Sequence, residues 1–146
     1  MAYRFYGNED CEVLAKENDY GFEGNPKHLY DLLSLCWSKE TCAPRLRGQW
    51  SKENMTLGQC SISSFLIQDI FGGEVRGVLL PDGGYHCYNV VDGISFDLTS
   101  EQFGDEKLDY SSCPIQEREV HFSDPDKYAR YLLLGALLKQ RIAESK

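Results

Sequence analysis

Hydrophobic spacing along the chain alternates between two periods, and each change of period marks an element. Leu29, Leu32, Leu33 and Cys36 recur at helical spacing behind Asn25-Pro26, a cap residue followed by the proline that suits a first turn. This pattern predicts a helix running to about Trp37. Ile62, Phe65, Leu66 and Ile70 make a second apolar face, entered through Thr56-Leu57-Gly58-Gln59-Cys60 and stopped at Gly72-Gly73. Glu74 to Leu80 then reads as a strand, with a turn at Pro81-Asp82-Gly83-Gly84. Tyr85 to Val91 and Ile94 to Thr99 flank Asp92-Gly93, a strong hairpin signal between β-rich segments. Arg118 to Phe122 is expected as a last short strand. A final helix follows Asp124-Pro125, with Tyr128, Leu132, Gly135, Leu138 and Ile142 facing inward.

Two stretches lie outside this pattern. Residues 1–24 mix aromatic and acidic residues without a period and read as an N-terminal arm beside a single domain of residues 25–146. Ser38 to Met55 forms a long polar connection, and connections of that length often border a site. Helices followed by antiparallel strands and a further helix predict an α+β domain, not alternating βαβ units.

The hairpin turn sets a register. With a two-residue turn at Asp92-Gly93, Val91 faces Ile94, Tyr88 faces Asp97 and His86 faces Thr99. His86 and Asp97 then share one face as diagonal neighbours, about 7–8 Å apart at Cα, which side chains can close to a hydrogen bond. Asn89 and Cys87 point to the other face.

Cys60 sits where its helix begins, and the free N–H groups and positive dipole end there stabilise a thiolate. Those N–H groups can also receive an oxyanion, with the Gln59 amide as a second donor. Cys60 as nucleophile, His86 as base and Asp97 as orienting carboxylate complete the logic of a triad. Against this stand plainer readings. Free cysteines are common core residues, and Cys11, Cys36, Cys42, Cys87 and Cys113 are assigned that role. His28 and His121 are read as ordinary structural histidines. Asp97 is harder to dismiss, because strands disfavour aspartate unless something holds it; Arg76 or a loop amide is the competitor to His86.

Composition narrows the partners. A net charge of −8, with only Arg45 and Arg47 as a basic pair, argues against nucleic acid and anionic membranes. The acidic N-terminus lacks a signal-peptide core, so a cytoplasmic location with reduced thiols is expected. No paired Cys or His spacing suggests zinc, and neither metal nor cofactor is expected.

Several stretches resemble the YunG-like family of small bacterial proteins. They are Trp37 to Thr41, Gly58-Gln59-Cys60, Gln68 to Glu74, His86 to Asn89, Asp92-Gly93, Phe96 to Phe103 and the segment around Ala129-Arg130-Tyr131. More distantly, the order Cys, His, Asp resembles the papain-like and transglutaminase-like cysteine fold. That likeness implies a nucleophile-bearing helix packed on an antiparallel sheet, with Cys60 as nucleophile, His86 as base and acid, and Asp97 as orienter. The function expected is acyl transfer on an amide or thioester of a small molecule or peptide. The alternative is a non-catalytic module that binds a protein partner through its acidic, aromatic surface. A third reading, with Cys60, His86 and Asp97 as ligands of a hydrolytic metal, ranks lower.

Overall fold

The computed structural model describes residues 3–145. The first helix, α1 (Pro26–Leu33), begins as its cap predicts. The Asn25 side chain accepts from the Lys27 and His28 amides at 2.9 and 3.1 Å, and His28 Nδ1 accepts the Asn25 N–H in return. The helix ends four residues before Trp37, in a tight turn that leaves Leu35 exposed. Trp37 still reaches the core, donating its indole N–H to Ser63 Oγ at 2.9 Å. A 3-10 turn over Pro44–Gln49 occupies the polar connection.

The second helix, α2 (Cys60–Phe71), packs on an antiparallel sheet of β1 (Glu74–Leu79), β2 (Tyr85–Val91) and β3 (Ile94–Phe96), in the order β1-β2-β3. Gly72 and Gly73 stop α2 with φ of +78° and +75°. At Gly73 a Cβ would also lie 2.3 Å from the Val90 carbonyl oxygen, so glycine is required twice over. Asp92 and Gly93 both take positive φ, and the deduced pairing Val91↔Ile94 is observed, followed by Val90↔Ser95 and Asn89↔Phe96. The molecule is thus α+β, as its pattern predicts.

Three expectations are corrected. β3 stops at Phe96 instead of Thr99. Asp97 Oδ1 accepts the Thr99 N–H at 3.1 Å, an Asx turn that swings the chain into a 3-10 turn over Ser100–Phe103. Arg118–His121 forms a short helix, α3, and not a strand. The free edge of β1 is already taken by residues 114–116, through Gly77 N–H to the Pro114 carbonyl and Gln116 N–H to the Val75 carbonyl. On the last helix, α4 (Pro125–Glu144), the buried stripe is Arg130, Leu134, Gly135, Leu138 and Ile142, while Tyr128 and Leu132 stay exposed. Arg130 claims the inner position near the start because its guanidinium reaches Asp126 at 2.8 Å and the Thr41 carbonyl at 3.1 Å.

The main core lies where α1, α2 and α4 meet, and the N-terminal segment helps to fill it. Phe5, Cys11 and Phe22 are buried there with Leu29, Leu66 and Leu138. Residues 3–24 therefore share the core of the helices although they form no regular element.

Candidate active site

The site forms where the first residue of α2 meets β2 and the chain leaving β3. His86, on β2, and Asp97, just past β3, are both 1% exposed, and His86 Nε2 lies 2.6 Å from Asp97 Oδ2. Asp97 reaches this position by a different route from the predicted one. It sits beyond the ladder and pairs with Tyr6 of the N-terminal segment, giving its N–H to the Tyr6 carbonyl at 3.0 Å. Its carboxylate is fully occupied: Oδ2 also accepts the Tyr110 hydroxyl at 2.7 Å, and Oδ1 accepts from the Thr99 amide and hydroxyl. Arg76, the competing partner, bonds Glu74 and the Cys113 carbonyl instead.

Nε2 is committed to Asp97, and the ring also feels the nearby Cys60 sulfur, which favours its charged form. Phe103 packs edge-on against the ring, its centroid 4.7 Å away. Burial is the largest single influence on His86 and favours the neutral ring. The Asp97 carboxylate and the Cys60 sulfur together outweigh it, and the pKa is pushed up to about 10.

Cys60 is the only partly exposed cysteine among the described residues; the other five are buried and unpaired. Its pKa is drawn well below the ordinary thiol value. The largest cause is the Cys87 thiol acting as hydrogen-bond donor, burial opposes it, and the His86 ring adds to the lowering. Cys87 moves the opposite way, well above its ordinary value, because the Cys60 charge and burial both oppose a second anion. The two shifts together favour the proton on Cys87 and charge on Cys60, and the Cys60 sulfur in turn favours the charged form of His86. No side chain caps α2, so the helix start keeps backbone donors beside the sulfur.

Gln59, the predicted second oxyanion donor, is fully buried next to Cys60. Its Nε2 donates to the Ser38 carbonyl at 3.1 Å, and its Oε1 is buried without a partner among the described residues. Asn89 points away as expected, giving Nδ2 to the Ser64 carbonyl at 2.9 Å. No group of three or more His, Cys, Asp or Glu side chains among the described residues is arranged to hold a metal ion.

Three neighbours escaped the sequence reading. Thr99 carried a signal, an Asp followed two residues later by a small hydroxyl residue, typical of an Asx turn. Tyr110 carried none: it arrives from an irregular loop and stacks on Tyr6 with centroids 3.8 Å apart. Cys87 does face away from His86, as the alternation of β2 requires, but α2 lies over that face and sets Cys60 beside it. A cleft of about 740 Å³ opens on the far side of Tyr110, lined by Tyr6, Tyr30, Met55, Ser100 and Leu108, among others. Neither Cys60 nor His86 lines it.

Comparison with known proteins places the chain in a family. The YunG protein family matches residues 25–143. The chain belongs to the YunG family. It is similar to the uncharacterized protein YunG of Bacillus subtilis (strain 168), 28% identical over 106 residues that cover 73% of this chain and 86% of that protein. The family match begins at the Asn25 cap and spans Cys60, His86 and Asp97, while the segment that brings Tyr6 to Asp97 lies before it. No solved structure matches. Among the described residues, no helix is long and apolar enough to cross a membrane.

Proposed function

We propose that this YunG-family protein is a cysteine-nucleophile acyl-transfer enzyme that hydrolyses or exchanges an amide or thioester of a small molecule or peptide. The observation that carries the reading is the buried 2.6 Å contact between His86 and Asp97, with the His86 ring helping to lower the pKa of a thiol at a helix start. The order of Cys, His and Asp, on a helix packed against an antiparallel sheet, supports a compact papain-like or transglutaminase-like scaffold. Six free thiols suit a reducing cytoplasm.

In this mechanism the Cys60 thiolate attacks the substrate carbonyl carbon, and the C–O π pair moves onto oxygen. Backbone N–H groups at the start of α2 stabilise that oxyanion, with Gln59 held alongside. His86 gives its proton to the departing nitrogen or sulfur as the acyl bond to Cys60 forms. The neutral ring then takes a proton from water or an acceptor nucleophile, which attacks the acyl-cysteine. Collapse of that second intermediate returns the thiolate–imidazolium pair. Asp97 does not exchange protons; it holds the ring in orientation and balances its charge.

The test is an activated ester or thioester probe followed by intact mass measurement and peptide mapping. An acyl adduct on Cys60 is expected, absent in Cys60→Ser and slowed in His86→Ala. Failure to acylate Cys60, together with alkylation kinetics of an ordinary thiol of pKa about 8.5, would remove the proposal.

A further inference from the structure

The buried thiol of Cys87 has no place in the acyl-transfer scheme, yet it is the strongest single influence on Cys60. The Ser61 hydroxyl is a shared neighbour of the two sulfurs, 3.9 Å from Cys60 Sγ and 3.7 Å from Cys87 Sγ. On its other side Cys87 meets His121 Nε2 at 4.0 Å, and His121 Nδ1 in turn takes Lys127 Nζ at 2.9 Å. Cys60 is a partly exposed residue at the start of α2, whereas Cys87 is sealed in the core between α2 and β2.

We propose that Cys60 and Cys87 form a hydroperoxide-responsive pair, in which Cys60 is the peroxide-reactive thiolate and Cys87 the resolving thiol. In the first step the Cys60 sulfur attacks the distal oxygen of the hydroperoxide. An S–O bond forms, the O–O bond breaks, and the leaving oxygen departs as hydroxide or alkoxide and takes up a proton. Sulfur is oxidised by two electrons to the sulfenic acid and the peroxide is reduced. In the second step the Cys87 sulfur attacks Cys60 Sγ. The S–S bond forms, the S–O bond breaks, and the Cys87 proton leaves with the hydroxide as water. Two thiols and one hydroperoxide thus yield one disulfide, water and the reduced fragment of the peroxide.

The site favours this order of events. The Cys60 anion is the first cause holding the proton on Cys87, whereas Ser61 and Lys127 both ease its release. Conversion of Cys60 to a neutral sulfenic acid removes the first influence; burial still opposes the Cys87 anion, while Ser61 and Lys127 still favour it. The resolving thiol therefore gives up its proton more easily once its partner has been oxidised. Cross-linking takes Cys60 out of acyl transfer until a thiol reductant restores it, and it protects the sulfur from irreversible over-oxidation.

The inference shares with the acyl-transfer reading the thiolate at Cys60, but it does not require acylation. A protein that forms the bond yet never acylates keeps the redox pair and loses the enzyme.

The experiment treats the full-length protein with hydrogen peroxide, blocks free thiols after denaturation and maps peptides by mass. The expected result is a Cys60–Cys87 linked peptide lighter by two hydrogens, the loss of two alkylatable thiols, and recovery of both with dithiothreitol. In Cys87→Ser the sulfenic acid on Cys60 should accumulate, be trapped by dimedone and progress to sulfinic acid. Cys36→Ser, at a buried cysteine outside the site, should behave like the unaltered protein. Wild-type protein in which Cys60 goes to sulfinic acid while Cys87 stays alkylatable overturns the proposal. So does linkage of Cys60 to any other cysteine. The wild-type measurement stands even if a Cys87 variant folds poorly.

Discussion

Replacing Asp97 by Asn is the most informative single change, because it alters charge while keeping shape. Asp97 is an acceptor at both oxygens, toward His86 and Tyr110 on one side and the Thr99 amide and hydroxyl on the other. An asparagine amide has one acceptor side and one donor side. Whichever way it is turned, one pair of neighbours meets N–H groups where it needs lone pairs. The mismatch in a site that is 1% exposed should cost about 2–3 kcal/mol, the usual range for an unsatisfied buried group that had made charge-assisted bonds. In a domain of 146 residues this lowers Tm by roughly 5–10 °C.

The effect on chemistry is separate. Raising an imidazole from 6.5 to about 10 corresponds to about 5 kcal/mol in favour of the charged ring, and Asp97 is the first of the groups supplying it. Without that carboxylate, burial becomes the dominant influence and His86 turns neutral at a much lower pH. The Cys60 thiolate then loses its cationic partner, and each 1.4 kcal/mol lost there reduces the thiolate fraction on the acid side about tenfold. Iodoacetamide labelling of Cys60, followed by peptide mapping across pH 5 to 10, reads this directly. For the unaltered protein the rate should stay level from pH 9 down past the ordinary thiol pKa of about 8.5, since the ring holds its charge until about pH 10. For Asp97→Asn the rate at pH 6 should fall by at least about tenfold. An unchanged labelling profile, with Tm within about 1 °C of the unaltered protein, would refute the coupling of Asp97 through His86 to Cys60.

Further outcomes follow from neighbouring contacts. Tyr110→Phe removes the 2.7 Å hydroxyl bond to Asp97 and should cost about 1–2 kcal/mol by chemical denaturation, with Cys60 labelling at pH 6 changed far less than in Asp97→Asn. Phe5→Ala empties a fully buried position in the main core, and urea titration should show a loss of about 3–5 kcal/mol; a loss below about 1 kcal/mol would mean the N-terminal segment does not pack there. Gly73→Ala forces a Cβ to within 2.3 Å of the Val90 carbonyl at a φ of +75°, so a drop in Tm of several degrees is expected from calorimetry.

The elements whose cause is local were readable in advance. Asn25-Pro26, Asp124-Pro125, Gly72-Gly73 and Asp92-Gly93 act through side-chain caps and positive φ within two or three residues, and each marks the boundary it predicts. The hairpin register next to the turn followed from the same chemistry, but Asp97 meets His86 from beyond the ladder, held by Tyr6 and its own Asx turn. Where the pattern misled, a distant group had taken a local position. Residues 114–116 took the edge of β1 while Arg118–His121, expected within a strand, became a helix, and Arg130 took an inner place on α4 to reach Thr41.

What tertiary structure alone decided is the surroundings of the sulfur. Alternation along β2 says that Cys87 faces away from His86. It does not say that α2 crosses that face with its first residue over Cys87. Nor does any local pattern bring Tyr110 or Tyr6 to Asp97. Turns and periods depend on neighbours along the chain, whereas the angle of a helix on a sheet depends on the volumes of side chains far apart in sequence. Here Phe65 of α2 packs with Val75 of β1 and Cys87 of β2.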